Sequence, residues 1–394
     1  MNLYEFQAKE LICRFGIEIP RGRVAGSAED AERLARRLAF PRFAIKAQIH
    51  GGARGAAGGI RFADTPEEAR AITGQLLAKP LITSQTKPSG EKVRWVYVEE
   101  AFEIVQEIYA AVIVNRSRAE LELLVSGRGG GDIEDRAAAD HLVIVRFPLL
   151  ATTVSTSGDF LGAAQAAGLS GAMAQKAADV FAGMARLAVE LDATLVEINP
   201  LALTRDGRLI ALDAKLTVDG NALFRHPALA ALRAQIQVEE GDPKELAADR
   251  HQINYQKMDG NIGVVCNGAG LSLATLDMVI DAGGKPANFM DIRTTASSMD
   301  VAYGIEVVLE NPSAQVLLIN IHGGGMQRCD TVAEGVGVAM RRVKRAVPVV
   351  VRFAGNNADF ARVRLKSSGV VFADARDLTE AMELVMAALP KGGA

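Results

Sequence analysis

The chain has 394 residues, enough for two domains and too many for one small binding module. Lys and Arg total 44 against 47 Asp and Glu, a formal net charge of -3 with no basic block, which excludes sequence-independent nucleic-acid binding. The composition is 49% hydrophobic and only 5% aromatic with 38 glycines, which suits an α/β protein rich in short turns and excludes disorder. The apolar runs are too short to span a bilayer and no charged-then-apolar leader opens the chain, so a cytoplasmic protein without membrane contact is expected. Three widely spaced cysteines, Cys13, Cys266 and Cys329, fit reduced thiols, and neither Cys nor His shows metal-ligand spacing.

In chain order, a first helix is expected over Tyr4 to Phe15, with Phe6, Leu11, Ile12 and Phe15 as its core stripe and Gly16 ending it. Ser27 caps a second helix carrying Ala31, Leu34, Ala35 and Leu38 at i, i+3, i+4 and i+7. Phe43 to Ile49 reads as a strand that turns Lys46, Gln48 and His50 to one face. After a glycine-rich stretch, Thr65-Pro66-Glu67-Glu68 opens a helix towards Leu77, and Thr83 to Lys92 forms a surface loop. Arg94 to Val125 is rich in β-branched and aromatic residues and predicts antiparallel strands. An alanine-rich helix follows over Met173 to Leu191. Next comes a hairpin, Leu195 to Leu203 and Arg208 to Leu216, around the turn Arg205-Asp206-Gly207. Polar Gln237 to His251 leads into a second domain. There the pattern alternates: strands Ile262 to Cys266, Ala287 to Ile292, Gln315 to Ile321, Val347 to Phe353 and Val370 to Ala373 are each followed by a helix. Such alternation builds a parallel, doubly wound sheet that binds ligands at the C-terminal ends of its strands, where Asn267, the Arg293 loop and the Gly323 loop fall.

Three stretches carry candidate chemistry. Gly51, Gly52, Gly55, Gly58 and Gly59, with Lys46 and Arg54 nearby, offer backbone N–H groups and two cations to phosphates; the competing reading is a turn, and no Gly-Lys-Ser/Thr makes it a P-loop. On the hairpin, a loop centred on Asp206 sets Asn199 opposite Asp213 and Glu197 opposite Lys215 on one face. Two oxygen ligands side by side suit Mg²⁺, with Lys215 keeping Glu197 ionised; the alternative is an exposed polar face. Asn267-Gly268-Ala269-Gly270 ends a strand and opens a helix, which favours a visiting anion, yet Leu273 stands where a dinucleotide fingerprint needs its third glycine. Of the five histidines, His50 and His322 adjoin glycine loops, and a structural imidazole is expected at each.

Longer motifs point to a family. Tyr4-Glu5-Phe6-Gln7-Ala8-Lys9-Glu10-Leu11, Lys46-Ala47-Gln48-Ile49-His50, Glu197-Ile198-Asn199-Pro200-Leu201 and Asp219-Gly220-Asn221-Ala222-Leu223-Phe224-Arg225 resemble the β subunits of succinate-CoA and malate-CoA ligases. So do Asp259-Gly260-Asn261-Ile262-Gly263, Asn267-Gly268-Ala269-Gly270-Leu271 and Arg328-Cys329-Asp330, so that the resemblance covers nearly the whole chain. It implies an ATP-grasp nucleotide-binding domain over residues 1–240 and a flavodoxin-like CoA-ligase domain over 241–394. It also implies an enzyme that joins a di- or tricarboxylate to CoA at the expense of ATP or GTP. The nucleotide contacts it implies fall on Lys46, Ala53, Arg54, Gly55, Glu99, Phe102 and Glu107, the Mg²⁺ ligands on Asn199 and Asp213, and a catalytic role on Glu197. The carboxylate contacts fall on Asn267 and on Gly325, Met326 and Gln327. The phosphohistidine that relays the phosphoryl group, and most of the CoA site, belong to a partner α subunit, so the chain is expected to be half of a heteromeric enzyme.

The chain departs from the family pattern in three places. Ala56 replaces the lysine of the glycine loop, Arg293-Thr294-Thr295 replaces three glycines, and the later glycine loop carries His322 and an extra residue. Two readings therefore stand: a working ligase subunit whose acid differs from succinate, and a non-catalytic nucleotide-binding paralogue that regulates or scaffolds a ligase. At Arg293 itself a guanidinium either lines the acid pocket or turns outward to an acidic partner.

Overall fold

The computed structural model describes residues 1–130, 133, 144–149, 157–240 and 242–390; His141 and Gly241 lie outside them. The chain divides into two compact units, Met1–Ala230 and Ala231–Ala394, with the division inside the helix Pro227–Glu240.

The first unit contains two largely antiparallel sheets. One takes the order β1-β4-β2-β3 from β1 (Gly22–Ala25), β2 (Phe43–Gln48), β3 (Ile60–Ala63) and β4 (Trp95–Glu100). Helices Ala28–Leu38 and Pro66–Leu77 cover it, each started by a hydroxyl that accepts from the third helical N–H: Ser27 from Asp30 at 3.1 Å and Thr65 from Glu68 at 3.2 Å. Ala31 and Ala35 are wholly buried where their helix packs on β1, β4 and the helix Pro66–Leu77, with Leu34 and Leu38 beside them, as their spacing predicts. The second sheet is formed by β5 (Ile104–Asn115), β6 (Glu120–Ser126), β7 (Val145–Leu149), β8 (Ala193–Thr204), β9 (Leu209–Ala211) and β10 (Ala214–Val218). Its order is β10-β8-β5-β6-β7, with β9 also on β8, and the helix Gly171–Glu190 packs on β8.

The hairpin expected around Arg205-Asp206-Gly207 is present with the expected register. Leu203 faces Leu209, Leu201 faces Ala211 and Glu197 faces Lys215, while Asn199 N–H donates to the Asp213 carbonyl at 3.2 Å. Gly207 sits at φ +78°, the left-handed position that such a turn reserves for glycine.

The second unit is a six-stranded sheet. It runs from β11 (Ile253–Lys257) through β13 (Asn288–Ile292), β12 (Ile262–Asn267) and β14 (Val316–Gly323) to β15 (Val349–Gly355) and β16 (Ala373–Asp374). Without its antiparallel edge strand β11, the order is that of a flavodoxin-like sheet, and Val264, Val265, Leu317, Leu318, Ile319 and Val351 fill its centre. β12 and β14 run parallel, and the order of strand connection reverses between them, so the loops after Asn267 and Gly323 flank the crevice. Residues expected to be a polar approach form the helix Pro243–Arg250, whose Ala248 is buried in this unit's core.

Candidate nucleotide site and carboxylate loops

The N-terminal helix Glu5–Arg14 buries only part of the stripe its apolar residues predict. Phe6 and Phe15 are half-buried, whereas Glu5, Gln7 and Lys9 are buried beside Leu11 and Ile12. The reason is a cluster of charges beneath it. Glu5 lies 2.8 Å from Lys9 Nζ, 2.9 Å from Lys46 Nζ and 2.7 Å from an Arg54 nitrogen. Glu99 on β4 takes the other side of the two lysines, 2.7 Å from Lys46 and 2.5 Å from Lys9. Arg54 continues to both oxygens of Asp213, at 2.8 and 2.7 Å, and to the Ala47 carbonyl at 2.8 Å. Three cations thus meet three carboxylates.

Burial by itself pushes the Glu5 carboxyl up, but Arg54, Lys46 and Lys9 overrule it and hold the group well below its ordinary value. Burial likewise disfavours the Lys46 ammonium, and Glu5 and Glu99 more than reverse that; Arg54 is held charged by Asp213 and Glu5 in the same way. Lys46 also donates to the Leu212 carbonyl, and Gln48, the next residue on its face of β2, donates to Glu5 at 3.2 Å.

This cluster is one wall of a cavity of about 410 Å³. Lys46, Ala53, Arg54, Gly55 and Glu99 line it, and Phe102 and Glu107 enter from the next strand and its approach. Glu197, Asn199 and Asp213 enter from the hairpin. Every residue assigned to nucleotide, metal or catalysis in the first unit therefore lines one space. Asn199 is braced by the backbone of Gly130, whose N–H it accepts at 2.8 Å and whose carbonyl it donates to at 3.2 Å.

The glycine loop itself is less open than its sequence predicts. The N–H groups of His50 and Gly51 point at Glu91 Oε2, at 3.0 and 3.4 Å, and that of Gly52 at Gln85 Oε1, 3.0 Å away. The Thr83 to Lys92 loop thus folds over part of it. Ala56 is exposed on the turn and is not among the residues lining the cavity. His50 stacks on Tyr4 with ring centres 4.3 Å apart, and burial lowers its pKa, as a structural imidazole requires. Glu5 and Lys9 were missed as site residues because charges on a short helix read as its solvated face. Their i, i+4 spacing within the Tyr4 to Leu11 motif was the available signal.

In the second unit, Asn267 ends β12 and exchanges two hydrogen bonds with the backbone of His322 on β14, both 2.9 Å. Gly325 and Met326 are exposed, while Gln327 is buried and its Nε2 has no hydrogen-bond partner. Arg293 folds back onto residues of its own unit. Its guanidinium pairs with Asp249 and donates to Asn254 Oδ1. Cys266 and Cys329 are buried thiols, Cys13 is exposed, and burial pushes Cys266 up to about 12. No helix among the described residues is long and apolar enough to cross a membrane.

The ATP-grasp domain family matches residues 2–203 and the CoA-ligase family matches residues 265–386, which together define an ATP-grasp acid–thiol ligase chain. Across 389 residues the chain is 39% identical to the ADP-forming succinate–CoA ligase subunit β of Acidovorax sp. (strain JS42), covering 99% of this chain and 100% of the relative. It is also 39% identical over 388 residues to the same subunit from Cupriavidus taiwanensis, covering 98% and 99%. Among solved structures, ATP citrate lyase from Methanothrix soehngenii, in complex with citrate and coenzyme A, shares the fold at TM-score 0.75 and 16% identity, covering 98% and 99% of the two chains. The chain belongs to the family of ADP-forming succinate–CoA ligase β subunits.

Proposed function

We propose that the first unit binds a Mg²⁺–nucleoside triphosphate in the 410 Å³ cavity and that the chain works as one half of a carboxylate–CoA ligase. The observation that carries this is the convergence of Lys46, the Ala53-Arg54-Gly55 turn, Glu99, Phe102 and Glu107 with the hairpin residues on one space. Lys46 and Arg54, fixed as cations by buried carboxylates, would meet the phosphates. Phe102 and Glu107 stand where a nucleoside would lie.

The hairpin donors fit Mg²⁺, a hard ion that takes oxygen ligands and retains waters. Asp213 brings a carboxylate and Asn199 an amide oxygen with a second lone pair beside its bond to Gly130. When bound, the ion would supply positive charge that offsets the phosphates. Asp213 is shared with Arg54, so an ion bound there would compete with the guanidinium for that carboxylate. Glu197, next on the same face, would order water or the ion's surroundings.

The reaction proposed is that the γ-phosphoryl passes to a histidine on a partner α subunit, releasing ADP, and then to a carboxylate oxygen. The CoA thiol attacks the acyl phosphate carbonyl and phosphate leaves, giving acyl-CoA. The carboxylate would be held near Asn267, Gly325, Met326 and Gln327, where Asn267 keeps one N–H and one lone pair after binding His322. The non-catalytic reading leans on Ala56 and on the loop changes; Ala56 lies outside the cavity lining, and the residues assigned to nucleotide and metal line it together, which supports the working subunit.

Calorimetry on the isolated chain tests the nucleotide half. Wild type should bind Mg²⁺–ATP at one site per chain, and Asp213→Ala should lose the Mg²⁺-dependent part of the affinity. In the assembled enzyme the same change should lower turnover on the order of a thousandfold. Metal-independent binding, equal in both proteins, contradicts the assignment.

A further inference from the structure

The guanidinium of Arg293 is the start of a chain of hydrogen bonds that ends on the backbone of the Asn267 loop. A guanidinium only donates and a carboxylate only accepts, so a side chain that stands between them and bonds both must accept on one side and donate on the other. Asn254 on β11 is that group. Its Oδ1 accepts from Arg293 Nε at 2.9 Å and from the terminal nitrogen, and its Nδ2 donates to Asp291 Oδ2 at 3.0 Å. With a donor on one side and an acceptor on the other, the amide has a single satisfied orientation. Asp291 on β13 is buried, and its second oxygen accepts the N–H of Gly268 at 2.6 Å. Gly268, at φ +84°, follows Asn267 and opens the helix Ala269–Asp281.

Arg293 is itself braced. It pairs with Asp249, its N–H donates to the Gln252 carbonyl at 3.1 Å, and Thr295 Oγ1 reaches Gln252 Oε1 at 3.1 Å. Three glycines at 293–295 would leave the backbone bond to Gln252 but supply none of these side-chain bonds. Asn254 would then be free to rotate its amide and Asp291 would lose the group that aims it.

We infer that Arg293 is a positioning residue which, through Asn254 and Asp291, fixes the Gly268 peptide and so presets Asn267 for the carboxylate substrate. The inference rests on the assignment of Asn267 to the carboxylate proposed above. Arg293 selects the acid indirectly, by the rigidity of the loop rather than by contact.

The test measures hydrogen exchange at the Gly268 amide of the full chain, together with acid and nucleotide KM in the assembled enzyme, for Arg293→Ala, Arg293→Lys and Asn254→Leu. Loss of a hydrogen bond to a charged group predicts exchange faster by about tenfold in Arg293→Ala and Asn254→Leu, with partial recovery in Arg293→Lys. Acid KM should rise by a similar factor while kcat and nucleotide KM stay near wild type. Unchanged exchange at Gly268 in folded Arg293→Ala and Asn254→Leu overturns the inference whatever the kinetics. Faster exchange with unchanged acid KM overturns instead the placement of the acid at Asn267.

Discussion

At the residue scale the determining feature is that Glu5 serves three cations at once. Removing one partner from a buried ionic group leaves the others uncompensated, which costs about 3–5 kcal/mol, far more than an exposed pair contributes. Glu5→Gln should therefore lower stability by that order at neutral pH, read as a shift of the urea midpoint. The pH dependence has a definite sign. The folded-state pKa of Glu5 lies well below its ordinary value of 4.5, so its contribution is complete above that pH and is lost as pH falls through the folded value. Wild type should lose stability steeply below pH 4.5, and Glu5→Gln should show a flatter slope there. A variant as stable as wild type would mean that the cluster is no more than a surface network. The same residues show the limit of sequence reading. Lys46, Asn199 and Asp213 were legible because strand alternation and hairpin pairing put them on defined faces. Glu5 and Lys9 were not, because what buries them is β2 and β4, distant in sequence from their helix.

At the element scale the hairpin of β8 with β9 and β10 carries most of the weight, since its register decides which residues face the cavity. Gly207 holds its turn in a left-handed conformation, and a Cβ built there meets nothing within 4 Å. Gly207→Val is thus a test of conformation alone. It should cost about 1–2 kcal/mol of stability while leaving Mg²⁺–nucleotide affinity unchanged, because the register is also fixed by β5 on the far side of β8. A large fall in affinity at retained stability would show that the turn, rather than the sheet, sets the register. The turn was readable from three residues, and so were the βα repeats from Ile262 onward, because parallel strands buried on both faces leave continuous apolar runs. The elements that escaped include the edge strands β1, β3, β7 and β11, of four or five residues each, and the helices Pro227–Glu240 and Pro243–Arg250, where polar residues from Gln237 onward read as a connection. The last strand was placed at Val370 to Ala373 but pairs only through Ala373 and Asp374. Val371 is instead one of the most exposed apolar residues described.

At the scale of the whole molecule, the two units carry different halves of one proposed reaction: nucleotide in Met1–Ala230, carboxylate in Ala231–Ala394. Family membership, at 39% identity over almost the full length, gives the class of chemistry, while the proposed acid side, near Arg293-Thr294-Thr295, is where the expected departure from the family pattern lies. Sequence left that arginine between a pocket and a partner surface; the fold adds a bond to Asn254, because β11 brings that residue alongside β13. The central claim is that the chain holds the nucleotide and leaves the relay histidine to its α partner. The most direct measurement incubates the full chain, alone and with that partner, with Mg²⁺–ATP labelled at the γ-phosphate, and then locates the label. The account predicts acid-labile label on a partner histidine, none on this chain, and discharge into acyl-CoA synthesis when carboxylate and CoA are added. A stable phosphoryl group on this chain, or acyl-CoA formed without the partner, would contradict it.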